Sequence, residues 1–169
     1  MVFANSATAL FATLEDTTEE QIDRVLGVNV RGTLLTVQKA LPLLNDGASV
    51  ILNASTAADN GTEAFGLYAA SKAAVRSFAR TWANELKSRG VRVNAISPGP
   101  VDTTGITELF GGEENAAVAR AHLATDTAIG RMGRRRRSPG WWPSSPPSRA
   151  ASCSAPMCTW TGARTRSEP

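Results

Sequence analysis

Cysteine is almost missing from this chain. Its two cysteines, Cys153 and Cys158, have no histidine near them in sequence, since the single histidine is His122. A disulfide framework is excluded, and two thiols alone cannot complete a zinc site, so no metal site is expected. Long apolar runs are missing as well, none approaching the ~20 residues that span a bilayer. The segment Met1-Val2-Phe3-Ala4-Asn5 lacks the basic flank and apolar stretch of a signal peptide. A soluble, cytoplasmic protein with no membrane partner is the expectation. Without a Gly-x-Ser-x-Gly elbow, no serine hydrolase can be assembled, and His122 is assigned to the surface. No internal repeat is present.

What is there divides unevenly over 169 residues. Residues 1–130 carry ten Lys and Arg against fourteen Asp and Glu, whereas residues 131–169 carry eight Arg and one acid, Glu168. The latter stretch also holds six of nine Pro, three of four Trp and both Cys. The composition therefore changes near Gly133. We expect one domain over residues 1–133 and a disordered basic tail rich in Pro, Ser and Trp over 134–169. Arg134 to Arg137, with Trp141 and Trp142 nearby, raise a nucleic-acid-binding alternative, by phosphate pairing and base stacking.

Strand and helix signals alternate through the first hundred residues. Val2-Phe3-Ala4 reads as the stump of a buried strand. From Thr18, an acid-rich first turn leads into Ile22, Val25, Leu26, Val30, Leu34, Val37 and Leu41 at helical spacing, which predicts one long helix ending near Pro42. Ser49 to Asn53 is suited to a buried parallel strand. A second helix is expected over roughly Tyr68–Arg89, stopped by Gly90, and a further strand over 91–96. Residues 106–122 read as one or two short helices, a candidate lid. Such alternation implies a parallel sheet covered by helices, in which ligands bind beyond the carboxyl ends of the strands. Asn5, Ser55 and Ser97 fall at such ends.

Chemistry concentrates at the same ends. Tyr68 and Lys72 are four residues apart on one helix face, and an ammonium beside a phenol favours the phenolate, which points to Tyr68 as an acid/base near neutral pH. Ser55 can hydrogen-bond a substrate oxygen or cap a turn. Asn29 interrupts an apolar stripe, either holding a water beside Lys72 or standing as a satisfied core amide.

These residues, with Tyr68-Ala69-Ala70-Ser71-Lys72 and Asn94-Ala95-Ile96-Ser97-Pro98-Gly99-Pro100-Val101-Asp102-Thr103, resemble the short-chain dehydrogenase/reductase family over residues 1–133. The resemblance implies catalytic roles for Asn29, Ser55, Tyr68 and Lys72. Tyrosine would exchange the substrate proton, lysine would lower its pKa and hold the nicotinamide ribose, serine would steady the carbonyl oxygen, and asparagine would anchor a relay water. It further implies NAD or NADP as cofactor, contacted by Asn5, Tyr68, Lys72, Pro98, Gly99, Val101 and Thr103. The substrate would be a small carbonyl or secondary alcohol, and the parent enzyme a homodimer or homotetramer that binds no nucleic acid.

The fold implied is α/β, a doubly wound, Rossmann-like parallel sheet that is incomplete. The family's first strands and the glycine-rich turn that receives the pyrophosphate have no counterpart in these residues. Gly111-Gly112 precede Glu113-Glu114, which would repel phosphate. The expected function is hydride transfer between NAD(P) and a carbonyl or alcohol, with an inactive fragment of such an enzyme as the alternative. The tail reads as out of frame. Shifted to the third codon base, the codons of Met157 to Ala163 permit Val-Tyr-Val-Asp-Gly-Gly, which resembles the family's closing strand. Fifteen Arg against three Lys fit a GC-rich gene whose shifted frames stay open.

Overall fold

A computed structural model describes residues 1–134 and 159–162. These divide into two compact units, Met1–Ser97 with the strand Thr159–Gly162, and the segment from Pro98 onward. In the first unit, β1 (Val2–Ala4), β2 (Ser49–Asn53) and β3 (Arg92–Ser97) pair in parallel. Val2, Val50 and Val93 stand in one row across this sheet, and Ala4, Leu52 and Ala95 in the next. Side chains alternate between sheet faces, so both rows share one face.

That face is covered by two helical segments. α4 (Gly66–Glu85) presents Ser71, Val75, Ala79 and Ala83 at four-residue spacing, all buried, and small residues there bring the helix close to the strands. Val37 joins them from α2 (Gly32–Ala40), completing one core with Val50, Leu52, Val93 and Ala95. Each fully buried Val or Leu contributes about 1.5–3 kcal/mol. α4 gives way to a short 3₁₀ turn, Lys87–Arg89, and ends at Gly90, whose φ of 63° is open to glycine at little cost.

The first helical stretch departs from the expected single α-helix. It begins as predicted, with Thr18 and Gln21 forming a capping box ahead of α1 (Glu19–Leu26). A π-helical turn, Gly27–Arg31, then separates α1 from α2, closed by a bond from Gly32 N–H to Gly27 C=O. The wider turn shifts the face presented by the residues that follow it. Val25, Asn29, Thr33 and Val37 form the buried line, and Ile22 and Leu26, placed on the apolar stripe by sequence, are more than a third exposed.

The tail also requires a correction. Thr159–Gly162, expected to be disordered, forms β6, antiparallel to β3, and makes the sheet mixed rather than wholly parallel. The physical reason is the edge of β3 away from β2, whose N–H and C=O groups accept a further strand in either direction. The assignments made on 135–158 and 163–169 lie outside the described residues.

In the second unit, β4 (Val101–Asp102) pairs in parallel with β5 (Gly133–Arg134), so Arg134 too is ordered into a strand. Two helices, α5 (Thr104–Leu109) and α6 (Glu113–Thr125), realise the pair expected near 106–122. Arg120 binds Asp102 at 2.8 Å, Glu113 at 2.6 Å and Thr107 at 2.9 Å, tying both helices to β4. No helix among the described residues is long and apolar enough to cross a membrane.

Candidate active site

Strand ends and the first turns of α4 bring the polar residues together. Asn53, the last residue of β2, receives a 2.7 Å hydrogen bond from Lys72 Nζ on its backbone oxygen. Its side-chain Nδ2 donates to Asn5 Oδ1 at 2.8 Å, just beyond β1. Lys72 therefore reaches Asn5 through a single intermediary. A second intermediary, Ser71, joins Asn29 to the same helix. Asn29 Nδ2 donates to Ser71 Oγ at 2.9 Å, and Ser71 Oγ donates to the Tyr68 backbone oxygen at 2.7 Å.

Asn29 is fully engaged by protein groups. Its Oδ1 accepts from Thr8 N–H at 2.8 Å, and its Nδ2 also donates to Thr8 C=O at 2.9 Å. The amide thus copies a backbone pairing and pins the segment after β1 to the π turn. Ser55 caps a turn, its Oγ accepting from Ala57 N–H at 3.1 Å at the start of the one-turn helix α3 (Ala57–Asn60), and it also shares a hydrogen bond with Tyr68.

Electrostatics at the pair differ from the simple expectation. Burial pushes the Tyr68 hydroxyl above its ordinary value near 10, and the hydrogen bond with Ser55 offsets only part of that rise. Burial also lowers the Lys72 ammonium to about 8. The sequence suggested a phenolate favoured by lysine, but Nζ lies 5.6 Å from the Tyr68 ring centroid, over its face, and is directed to the Asn53 carbonyl. Tyr68 rests as the neutral phenol, the form that can give a proton.

Asn53 and Ser71 escaped sequence reasoning. The first acts through a backbone carbonyl, which no side chain advertises, although its place two residues before Ser55 at a strand end was a usable signal. The second is an unremarkable helical serine by type, and only its complete burial against Asn29 reveals it. Pro98, Gly99, Val101 and Thr103 belong to the second unit, beginning directly after Ser97 in the chain. There Val101 lies in β4 and Thr103 is the residue preceding α5.

Parallel β1, β2 and β3 with helices packed on them, and Ser55, Tyr68 and Lys72 near the strand ends, form an α/β arrangement of Rossmann type. Residues 1–136 match the family model described as enoyl-(acyl carrier protein) reductase. The chain belongs to the short-chain dehydrogenase/reductase family. It is similar to the oxidoreductase asL5 of Sarocladium schorii, 40% identical over 113 residues, which are 66% of this chain and 45% of that protein. The hydroxynaphthalene reductase-like protein Arp2 of Metarhizium brunneum is 42% identical over 104 residues, 61% of this chain and 39% of that one. Among solved structures, the angucycline C-6 ketoreductase LanV with bound NADP aligns with a TM-score of 0.70 at 26% identity, covering 78% of this chain and 49% of LanV. The chain spans half or less of the length of these proteins.

Proposed function

We propose that the protein is a nicotinamide-dependent ketoreductase that interconverts a carbonyl compound and its secondary alcohol. The observation that carries this reading is Tyr68, held as a phenol and hydrogen-bonded to Ser55, on the same helix face as the buried Lys72. Lys72 has three donors and uses one on Asn53, so two are left for the hydroxyls of a ribose. Among the described residues, Ser97 Oγ and Asn53 Oδ1 are buried without partners, further polar capacity at the strand ends. These residues fit the nicotinamide half of NAD or NADP. The reductase named above, LanV, holds NADP in its structure, which supports testing the phosphorylated cofactor first. That protein and Arp2 are named for reducing ring compounds, in keeping with a cyclic ketone.

In the reductive direction Ser55 and Tyr68 together receive the substrate oxygen. The bound nicotinamide supplies hydride. As charge develops on the oxygen, Tyr68 transfers its hydroxyl proton to it, and Ser55 donates a hydrogen bond that steadies the same atom. Lys72, with a pKa near 8, is placed beside the tyrosine to stabilise the phenolate that results. Asn5 would lie at the approach of the nicotinamide ring.

Tyr68→Phe tests the assignment. Removing a general acid costs ~10²–10⁴ in rate, so reduction of a cyclic ketone with NADPH should fall by that factor while circular dichroism stays unchanged. A variant that keeps most of its turnover would exclude Tyr68 as the proton donor.

A further inference from the structure

The segment that carries Ser55 has little apolar packing of its own. Beyond Ser55, α3 is a single turn of four residues, and none of its side chains is fully buried. Local hydrogen bonds tie this turn to Ser55. Besides the bond from Ala57 N–H to Ser55 Oγ, Ala58 N–H donates to the Ser55 carbonyl at 3.3 Å, and Asp59 N–H donates to the Thr56 carbonyl at 3.0 Å. Ser55 and α3 therefore form one piece, which Gly61 ends at a φ of 61°, a left-handed conformation suited to glycine. A turn so short and so poorly buried belongs to the parts of a fold that open locally at low cost.

An ion pair joins this piece to α4, where Arg76 Nη1 binds Asp59 Oδ2. Arg76 lies four residues beyond Lys72 and eight beyond Tyr68, so the three follow one another on successive turns of one helix. The helix that carries the tyrosine and the lysine thus also carries the clamp for α3. The Arg76 side chain is only 19% exposed against 58% for Asp59, and among the described residues Arg76 Nε is buried with no partner. Burying that N–H unpaired is unfavourable, and a half-exposed ion pair adds little to the stability of a whole fold. The pair is explained by what it fixes locally, the seat of α3 and of the serine attached to it. Resting on the ketoreductase reading above, we propose that Arg76 and Asp59 are positioning residues whose ion pair docks α3 on α4 and so holds the Ser55 hydroxyl at the Tyr68 hydroxyl.

Asp59→Asn tests the pair through the sign of its effect on Tyr68. The position is more than half exposed, so the variant should keep the fold, which far-ultraviolet circular dichroism checks. Loss of a negative charge would by itself favour the phenolate and lower the Tyr68 midpoint in an ultraviolet titration. If the pair positions Ser55, the midpoint should rise instead, because the hydrogen bond with Ser55 is what pulls it down. In a Ser55→Ala background the same substitution should give no further rise, and Asp59→Glu, which keeps the carboxylate, should leave the midpoint near that of the parent. With NADPH and cyclohexanone, Asp59→Asn should lower kcat about three- to tenfold with KM little changed, since the Ser55 contact strengthens as charge develops on the substrate oxygen. A midpoint that falls or stays in place in Asp59→Asn, or rises equally in the Ser55→Ala background, overturns the proposal and leaves the reductase reading standing wherever the ketone is reduced. A raised midpoint that Ser55→Ala abolishes, in a protein that reduces no ketone with either cofactor, supports the docking of Ser55 and removes the reductase reading.

Discussion

Burial acts on the two ionisable residues of the site in opposite directions, and this fixes the order in which they titrate. Lys72 gives up its proton at about 8, while Tyr68 stays protonated beyond its ordinary value near 10. When the phenol begins to ionise, the neighbouring ammonium is already neutral, so the attraction that the Tyr-x-x-x-Lys spacing suggests does not assist that titration, although below pH 8 the lysine is charged. Tyr68 is the only tyrosine of the chain, so an ultraviolet titration of phenolate absorbance reports it alone. Its midpoint should lie above the ordinary value, and Ser55→Ala should raise it further, because the hydrogen bond with Ser55 is the one feature pulling it down. A midpoint at or below the ordinary value, or a downward shift in the Ser55 variant, would contradict this account. Spacing along a helix made Tyr68 and Lys72 legible as neighbours. The sign of the tyrosine shift was not, because desolvation depends on the packing of residues distant in sequence.

At the scale of elements, strand and helix positions were readable because hydrophobic period and turn chemistry are local. Ser49–Asn53, the alanine-rich helix and its stop at Gly90 each follow from a few adjacent residues. The π turn was not readable, since a helical wheel assumes a constant period, and one wide turn rotates every later side chain. Its consequence is functional in placement: Asn29 turns inward and reaches Ser71 on α4. This bond couples two helical segments 42 residues apart and, through the Tyr68 carbonyl, orients the turn that carries the tyrosine. Ser71→Ala should destabilise the fold by about 1–3 kcal/mol, as a buried amide loses a partner. If the pair acts as a unit, Asn29→Ala combined with Ser71→Ala should cost less than the separate losses together, by about 0.5–3 kcal/mol in urea unfolding. Strict additivity would show that the two residues stabilise the fold independently.

For the whole molecule, the described helices of the first unit cover one face of its sheet, that of Val50, Leu52, Val93 and Ala95. The opposite face includes Phe3, which is 43% exposed. The family resemblance made the doubly wound plan legible, but the antiparallel seat of β6 depends on pairing at a sheet edge, which sequence near residue 160 does not encode. The residues of the first unit that we assign to the cofactor, Asn5, Tyr68 and Lys72, would all address its nicotinamide half. In Rossmann-type folds the pyrophosphate is bound by a helix amino terminus after a glycine-rich turn, and much of the affinity for a dinucleotide comes from there. Within these 169 residues, Gly111-Gly112 lead into α6 but with Glu113 and Glu114 in its first turn, where their charge opposes phosphate. A polypeptide of these 169 residues alone should therefore gain little from the adenosine half. In calorimetric titrations, nicotinamide mononucleotide and NADP should bind it with dissociation constants within about tenfold of each other, a difference under 1.4 kcal/mol. Low-micromolar binding of NADP with a much weaker mononucleotide would reveal a phosphate site elsewhere in the chain, and would overturn the assignment of its cofactor contacts to the nicotinamide side.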